Sequence, residues 1–516
     1  MHSMEPSVRS YLRAVLSRLI SANDDEQQEH MSGQEIGMAC FGLRLMSNYW
    51  PVVQSCILEI ASRIDVARVK GQVLMDAGEI SMALNGLQSM RGRGSRRSPV
   101  SFNENTNGSS SDDKKIAAHG DGFQIVEGLG IVSTRPKWVV LDEEEENWIP
   151  VSATATDYES MDDDKLTRGY DRNIQINERF ETVRGQEKSI DSLRTLLRSL
   201  YEVMKVRKNA LSFEQAASGL YGLKGMSTHG MEGEEVELIM WTLLEDIKTT
   251  LLSSKIEKTV MINSRSVSAA FFGLQRMNCE GDVMEELLIQ LAYAIELVPE
   301  INGQLIGNVL LGMQKMDPDS SMAVRMVLRS LTAQIERSEG RINMTGQNFG
   351  NALYGMKSMS SNSKEVRGML SAIASLLKTS SAEMNGQNIG NALYGLQRMD
   401  ENQVEVKLIL SALAHQVMTT TSKLSGLDIG MSLYGLRAMA SSKSSGPEVT
   451  VLFGLLIHRI KMDPTLELKL GELSLAIIGV LRTSPWIRDD FLSTLASKTR
   501  GMEFIAGTKN LVVDTE

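Results

Sequence analysis

Three kinds of side chain recur at matched positions along this sequence, and each has a chemistry of its own. Amides offer hydrogen-bond donors and acceptors at Asn308, Asn351 and Asn391. Aromatic planes occur at Tyr221, Phe272, Tyr354, Tyr394 and Tyr434. Cations follow a few residues later, at Arg44, Lys224, Arg276, Lys315, Lys357, Arg398, Arg437 and Arg482. Repeated at regular intervals, amides, aromatic planes and cations suit a single nucleic-acid strand, whose bases stack or hydrogen-bond and whose phosphates need neutralising.

Each group also has a structural explanation. A cation in the last turn of a helix complements the helix dipole and the exposed carbonyls. A row of asparagines can hydrogen-bond between adjacent helices, and a tyrosine at each step can serve packing alone. The combination on one face favours binding more than any single group does. The candidate RNA-binding residues are Asn308, Lys315, Asn351, Tyr354, Lys357, Asn391, Tyr394, Arg398, Tyr434 and Arg437.

A recurring unit carries these side chains, and it is clearest at Asn385 to Met399. Every copy contains a glycine directly after the aromatic position, here called the anchor glycine. The anchor glycines are Gly42, Gly86, Gly222, Gly273, Gly312, Gly355, Gly395, Gly435 and Gly479. Their spacings are 44, 136, 51, 39, 43, 40, 40 and 44 residues. A period near 40 predicts an all-α fold, an α-solenoid of about nine helix-hairpin repeats.

Each repeat is predicted to consist of a helix A, a polar turn and a helix B. On a helical wheel of about 100° per residue, one copy of helix A from Gly350 to Met359 is amphipathic. Its apolar face holds Phe349, Ala352, Leu353, Met356 and Met359. Thr345 and Ser425 are suitable N-caps. Val404 to Val417 is one example of helix B.

Small residues in helix A indicate that neighbouring helices approach closely. Two glycines within one helix cost about 1 kcal/mol each relative to alanine, so their recurrence requires a packing reason. The position five residues before the anchor is always small, with Gly37, Ser81, Ala217, Ser268, Gly307, Gly350, Gly390, Gly430 and Ser474. Eight methionines close the units and are interpreted as flexible core filler: Met46, Met90, Met226, Met277, Met316, Met359, Met399 and Met439.

Composition limits the remaining possibilities. The 516 residues include 3 cysteines, too few for a disulfide framework, which favours an intracellular, reducing compartment. The sequence has no apolar run of about 18 residues, so no membrane span is expected. The 6 histidines form no ligand-spaced cluster, and no CxxC pair, phosphate-binding loop or nucleophile motif is present. An enzyme is therefore not expected, and neither a cofactor nor a metal site is predicted.

The chain divides into four segments. Residues 1–90 hold an N-terminal helix, repeat one and helix A of repeat two; residues 91–187 form an insert; residues 188–499 hold helix B of repeat two through repeat nine; residues 500–516 form a tail. The first helix, Ser7 to Ala22, carries three arginines and no acid. It is interpreted as a capping helix B without its helix A, with an organelle-targeting presequence or a truncated gene model as the alternatives.

The insert, residues 91–187, accounts for the single long spacing of 136 residues between the anchor glycines Gly86 and Gly222. From Arg91 to Glu187 there are 13 basic and 19 acidic residues, a net charge of −6 out of −10 for the chain. Asp142 to Glu146 are five consecutive acids. The composition predicts a mostly disordered acidic insert within an intra-repeat turn. Within it, Phe123 to Val132 and Lys137 to Leu141 are candidates for short strands or for a docking segment.

The motif Ile389-Gly-Asn-Ala-Leu-Tyr-Gly-Leu-Gln-Arg-Met399 resembles the Leu-Ala-Asn-x-Leu-Trp-Ala-Leu-Ala-Lys-Leu core of octotricopeptide repeats. The repeat region that precedes RAP domains looks similar. The resemblance covers the repeats and is clearest from Gly303 to Met439. It implies an RNA-binding α-solenoid in a mitochondrion or chloroplast that acts on transcript stability, processing or translation; without it, a cytoplasmic location is expected. The alternative is a protein–protein interaction scaffold, since such solenoids hold peptides or partner helices.

Overall fold

The fold is a serial array of helices, seen in a computed structural model that describes residues 6–21, 31–44, 46–70, 75–90, 139–142, 147–150, 191–257, 262–439 and 446–498. The first part comprises α1 (Pro6–Ser21), α2 (Gly33–Gly42), α3 (Pro51–Val69), α4 (Ala77–Asn85), β1 (Val139–Asp142), β2 (Asn147–Pro150), α5 (residues 191–206), α6 (Phe213–Gly222) and α7 (Gly233–Glu257). The middle part comprises α8 (Ser264–Gly273), α9 (Asp282–Leu297), α10 (Gly303–Gly312), α11 (Met322–Arg337), α12 (Gly346–Tyr354) and α13 (Lys364–Thr379). The last part comprises α14 (Gly386–Gly395), α15 (Val404–Thr419), α16 (Gly426–Leu436), α17 (Pro447–Met462), α18 (Leu470–Val480) and α19 (Pro485–Lys498).

The helices form two layers. The short even-numbered helices from α2 to α18 pack on one another in chain order and form the A layer. The odd-numbered helices form the B layer, in which α7, α9, α11, α13, α15 and α17 pack in the same order. Arg329 of α11 and Glu365 of α13, for example, pair across the B layer at 2.9 Å. This confirms the predicted all-α solenoid, while the repeat number of about nine stays a prediction.

The anchor glycines permit the close approach within the A layer. A Cβ atom built on Gly479 would lie 2.6 Å from the carbonyl oxygen of Leu433 in the preceding A helix. At Gly86, Gly222, Gly273, Gly312, Gly355, Gly395 and Gly435 it would lie nearer still to the equivalent carbonyl. The small position contacts the following helix: a Cβ on Gly350 would meet the Cα of Asn388 at 3.0 Å. The prediction of close backbone approach is confirmed.

The core lies between the two layers, and the motif methionines belong to it. Met90, Met226, Met277, Met316, Met359, Met399 and Met439 are at most 2 % exposed. Met46, in the first repeat, is only half-buried. Free Cys40 and Cys56 are also buried, and burial raises the pKa of the Cys40 thiol to about 12. A thiol held protonated in this way is a packing group.

The A helices end earlier than the helical wheel predicts. The wheel extends helix A through the motif methionine, but α12 ends at Tyr354, and Gly355 caps it. Beyond this point the chain forms short turns, with the amide of Met356 bonded to Leu353 O at 2.9 Å and that of Met359 to Met356 O at 2.9 Å. The apolar periodicity continues past the helix end because Met356 and Met359 still enter the core.

The insert interrupts the chain without interrupting the A layer. Helices α4 and α6 pack together although 127 residues separate Asn85 from Phe213. Ser81 Oγ donates to Gln215 O at 3.1 Å, and Asn85 Nδ2 donates to Ser218 Oγ at 2.7 Å. Within the insert, β1 and β2 pair as an antiparallel hairpin that overlaps the possible strand at Lys137 to Leu141. The rest of the predicted disordered segment, including Phe123 to Val132, lies outside the described residues, as does the tail.

The N-terminal helix packs as a member of the B layer. Helix α1 lies against α3, and its Leu12 is buried at 6 % exposure, whereas Tyr11 is 69 % exposed. Helix α1 therefore packs on α3 in the way that the other B helices pack on each other. None of the helices in the described residues combines the length and apolar character needed to cross a lipid bilayer.

Candidate nucleic-acid interface

Each A helix is fixed at both ends, so that neighbouring A helices are aligned along their axes. Thr345 Oγ1 accepts the amide of Asn348 at 3.2 Å, and Asn385 Oδ1 accepts that of Asn388 at 2.8 Å, which starts α12 and α14 at equivalent residues. The anchor glycine fixes the other end against the preceding helix. Outward-facing residues of successive A helices therefore form rows across the array.

One such row consists of amides and is here called the amide strip. It holds two residues from each of α10, α12 and α14: Gln304, Asn308, Gln347, Asn351, Gln387 and Asn391. Asn308, Asn351 and Asn391 are half-buried, and their side chains make no hydrogen bond with the described residues. The alternative in which the asparagines bond between adjacent helices is thus not what the structure contains.

A paired amide elsewhere in the A layer provides a useful contrast. Asn85 reaches Ser218 of the next A helix at 2.7 Å. Asn351 and Asn391 have the same functional group in a comparable setting, yet they remain without an internal partner among the described residues. A half-buried amide loses part of its hydration without gaining a protein hydrogen bond, so a ligand that supplies a donor and an acceptor would stabilise it.

The tyrosines stack on each other across the repeats. The ring centroids of Tyr354 and Tyr394 are 5.8 Å apart at an angle of 22°, and those of Tyr394 and Tyr434 are 5.6 Å apart at 17°. Tyr221 and Phe272 form a second stack at 5.8 Å. Leu311 occupies the aromatic position of α10 between the two stacks. Burial, together with the phenols of Tyr434 and Tyr354, raises the pKa of Tyr394.

This stacking changes the role expected for the tyrosines. From the sequence, their planes are candidates for base stacking. In the structure both faces of Tyr394 meet a neighbouring ring, so a base would have to displace Tyr354 or Tyr434 to stack there. Packing, the structural alternative, describes these rings better. The three tyrosines form a continuous aromatic spine beside the amide strip.

The cations lie over this spine or bond to backbone carbonyls. Lys357 Nζ is 4.3 Å from the ring centroid of Tyr354 and 3.0 Å from its hydroxyl oxygen. The guanidinium of Arg437 lies 3.6 Å above Tyr434. Lys224 lies 5.5 Å from both Tyr221 and Phe272. Such cation–π contacts position a cation but leave its charge in place.

A second set of bonds joins each turn to the turn of the preceding repeat. Gln397 Nε2 donates to Lys357 O at 3.3 Å, and Arg398 donates to Ser358 O. Arg276 donates to Gly225 O at 3.1 Å, and Gln314 to Gln275 O at 3.0 Å. Arg276 and Arg398 therefore lock adjacent repeats together. The expected dipole contact is with carbonyls of the same helix, and the sequence does not reveal this inter-repeat partner.

The helices that carry the amide strip contain no acidic residue, whereas the turns after α10 and α14 contain Asp317, Asp319 and Asp400. Helices α8, α10, α12 and α14 contain neither aspartate nor glutamate, whereas α7 and α9 of the B layer contain several. The nearby Asp317 pairs with Arg398 at 3.2 Å, and the arginine side chain remains 49 % exposed. Lys315 is exposed at the same edge. The ten candidate residues thus lie on one side of the array, from α10 to the turn after α16.

No family model matches the chain. A search of curated proteins likewise returns no match. The described residues contain no cluster of three or more histidine, cysteine, aspartate or glutamate side chains arranged to hold a metal ion. The array is a helical-repeat architecture of the kind used by binding proteins and scaffolds.

Proposed function

We propose that the protein binds single-stranded RNA along the amide strip. The observation that carries the proposal is the set of three half-buried asparagine amides, equally placed on α10, α12 and α14 and without partners among the described residues. An amide presents one donor and one acceptor edge, which matches the edges of unpaired bases. Helical repeats elsewhere read one base per repeat with two or three side chains.

The three chemistries then have separate roles. The asparagines bond to base edges, and the outer glutamines extend the contact. Lys315, Lys357, Arg398 and Arg437 neutralise phosphates at the edge of the strip, beside A helices that carry no acidic residue. The aromatic spine keeps successive helices in register and is not itself the stacking platform. The protein acts by binding, without catalysis.

The resemblance of the repeat core to octotricopeptide repeats is a separate, sequence-based argument for the same proposal. Ile389 to Met399 is the stretch that resembles their core. On that resemblance, the RNA is an organellar transcript, and binding affects its stability, processing or translation in a mitochondrion or chloroplast. The competing function is a protein scaffold, in which the same amides would bond to the backbone of an extended peptide.

The first experiment removes the amides. Asn308, Asn351 and Asn391 are replaced together by alanine, and binding of a fluorescein-labelled, random-sequence 20-nucleotide RNA is followed by anisotropy. A hydrogen bond is worth about 0.5–1.5 kcal/mol net, so three should account for at least tenfold in affinity, since about 1.4 kcal/mol corresponds to tenfold. The thermal midpoint should not fall, because these amides have no partners among the described residues. Asn209→Ala, at an exposed site beyond the end of α5, is the control and should bind RNA normally.

The second experiment separates phosphate contacts from net charge. Lys357, Arg398 and Arg437 are replaced by glutamine on the A side, and Lys364, Lys378 and Lys407 by glutamine on the B side. Both triple variants remove three positive charges. For a single strand, the salt dependence of log K has a slope of about 0.7 for each phosphate that the protein neutralises. The A-side variant should therefore show a slope shallower by up to about 2, and the B-side variant should keep the wild-type slope.

Two outcomes would end the RNA proposal. One is wild-type protein without saturable RNA binding near physiological salt, which would leave the protein-scaffold function. The other is equal behaviour of the A-side and B-side charge variants, because the cations on the spine would then have a purely structural role. Circular dichroism of every variant ensures that only folded proteins are compared.

A further inference from the structure

The amide strip covers three successive repeats and ends on both sides. Each of its helices carries an asparagine four residues before the anchor glycine and a glutamine eight residues before it, as Asn391 and Gln387 do on α14. The neighbouring helices have no amide at these two positions, which hold Met431 and Leu427 on α16 and Ala269 and Arg265 on α8. Three identical amide pairs in a row therefore present the same chemistry to three successive sites on a bound strand.

Adjacent A helices run side by side at a nearly constant separation. At their amino ends, a Cβ on Gly346 would lie 3.0 Å from the Cα of Met384, and at their carboxyl ends a Cβ on Gly395 would abut the carbonyl of Leu353. The same anchor contact joins α10 to α12. The rings of the aromatic spine lie 5.8 Å and 5.6 Å apart from helix to helix, and this spacing holds for the amides, one helical turn away.

That spacing fixes how many nucleotides one repeat can contact. Stacked nucleotides of one strand follow each other at about 3.4 Å. Two nucleotides per repeat would be closer than this stacking distance, which the thickness of a base forbids. One nucleotide per repeat is stretched beyond it, but the gap left between two bases is too narrow for an inserted ring. The faces of Tyr394 are already covered by Tyr354 and Tyr434, so the bases are held by their edges alone.

Bases held by their edges lose the stacking that they have in the free strand. This loss is largest for purines and smallest for uracil, and stacking strength of this kind underlies the pyrimidine preference of single-strand binders. Uracil also presents an acceptor, a donor and an acceptor in a row, at O4, N3–H and O2. One amide pairs with N3–H and O4, and the NH2 group of a second amide donates to O2, which uses both amides of a repeat.

Building on RNA binding along the amide strip, we propose that the strip selects a run of three uridines. Helices α10, α12 and α14 each take one uridine, and Asn308, Asn351 and Asn391 determine the choice of base. Nucleotides on either side of the run meet the apolar side chains of α16 or the alanine and arginine of α8. They contribute through their phosphates, without base selection.

Short RNA probes with equal numbers of phosphates test the choice of base. A fluorescein-labelled 9-mer carries three uridines between two blocks of three abasic nucleotides, and a companion probe carries three adenosines instead. Anisotropy titrations should give an affinity for the uridine probe at least about tenfold above that for the adenosine probe, because three purines lose more stacking than three uracils. Equal affinities, or a preference for adenosine, overturn the proposal.

Two modified bases separate edge contacts from stacking. 3-Methyluridine has no N3–H donor, so a probe with three of them should bind at least about tenfold more weakly than the uridine probe. 5,6-Dihydrouridine keeps O4, N3–H and O2 but is not planar and stacks poorly, so its probe should bind as the uridine probe does. The reverse order of affinities would show that the bases are held by stacking and would overturn the proposal.

Changing the length of the strip should change the length of the run. Leu427→Gln together with Met431→Asn adds a fourth amide pair, on α16. The ratio of affinities for four and for three uridines should then be about threefold or more higher than in wild type. Met38→Asn adds an amide on α2, outside the strip, and should leave this ratio unchanged. Should the double variant not fold, Asn391→Ala decides, since it should lose the affinity that wild type gains from a third uridine.

The binding results also distinguish the uridine run from the proposed function itself. Wild type that fails to bind the random-sequence 20-nucleotide RNA ends RNA binding and the uridine run with it. Wild type that binds this RNA but does not prefer the uridine probe overturns the uridine run alone. A folded double variant with the wild-type ratio, or Asn391→Ala with the full gain from a third uridine, does the same.

Discussion

Replacing Gly395 by alanine is the sharpest test of how the A layer is held together. The added Cβ would lie 2.8 Å from the amide nitrogen of Tyr354 and closer still to the carbonyl of Leu353. Real Cβ contacts below 3.0 Å are essentially never observed, and both atoms belong to a backbone that cannot rotate away. Helix α14 must therefore move away from α12 by about an ångström, which weakens the dispersion contacts along the whole interface.

Two opposing effects determine the magnitude. Alanine is favoured over glycine in a helix by up to about 1 kcal/mol. Overpacking costs about 1–3 kcal/mol and occasionally more, and a forced contact with backbone belongs at the upper end. We expect Gly395→Ala to lower the free energy of unfolding by about 2 kcal/mol, and Gly395→Leu to lower it further. A Cβ atom built on Gly42 would meet nothing within 4 Å, so Gly42→Ala has only the propensity effect and should stabilise the protein by up to about 1 kcal/mol.

Urea titrations followed by circular dichroism give the free energy of unfolding of the three variants and of wild type. The comparison holds where the slope of that free energy against urea concentration is the same for all four proteins. Because repeat arrays unfold through their nearest-neighbour interfaces, hydrogen exchange within residues 346–395 locates the effect. Faster exchange should be confined to α12, α14 and their neighbours. Gly395→Ala that is as stable as wild type would refute the close-approach argument, since the expected cost of overpacking would then be absent.

Three further predictions concern other parts of the molecule. Deleting residues 99–171 should leave the thermal midpoint within a few degrees of wild type, because α4 and α6 contact each other directly; a large drop would mean that the insert packs into the core. Burial raises the pKa of the Tyr394 phenol, so folding favours its neutral form. The stability that Tyr394 contributes is therefore complete below the phenol pKa of the unfolded chain, about 10, and is lost as pH rises above that value. Tyr394→Phe should therefore show a smaller loss of stability from pH 9 upward than wild type; parallel pH curves would contradict this. Asp246→Asn should lower the free energy of unfolding by about 3 kcal/mol, because it leaves the charge of the buried Arg207 without its partner; the side chains of Arg207 and Asp246 are 10 % and 5 % exposed. The control Asp489→Asn breaks an exposed ion pair with Arg488 and should cost less than about 1 kcal/mol in urea titrations. Equal losses in the two variants would show that burial does not strengthen the Arg207–Asp246 pair.

The sequence alone determined the local chemistry and the repeat. The spacing of glycines predicted the solenoid, since only stacking lets short amphipathic hairpins bury their apolar faces. The small residue at Gly350 and its counterparts predicted close approach, because an internal glycine that lowers helix stability needs a packing reason. Burial of Met359 and Met399 followed from their place on the apolar face. All of these features depend on one helix and its periodicity.

The partners across repeats were decided only by the tertiary structure. A helical wheel gives the direction of Tyr394 around its own axis but not its distance to Tyr354 and Tyr434, which cover the ring faces. For the same reason the wheel could not assign Arg398 to the carbonyl of Ser358 in the preceding repeat. The end of α12 at Tyr354 was also hidden, since the apolar pattern continues into the turn. Inter-repeat distances depend on how closely two backbones approach, and the anchor glycines set that distance in three dimensions.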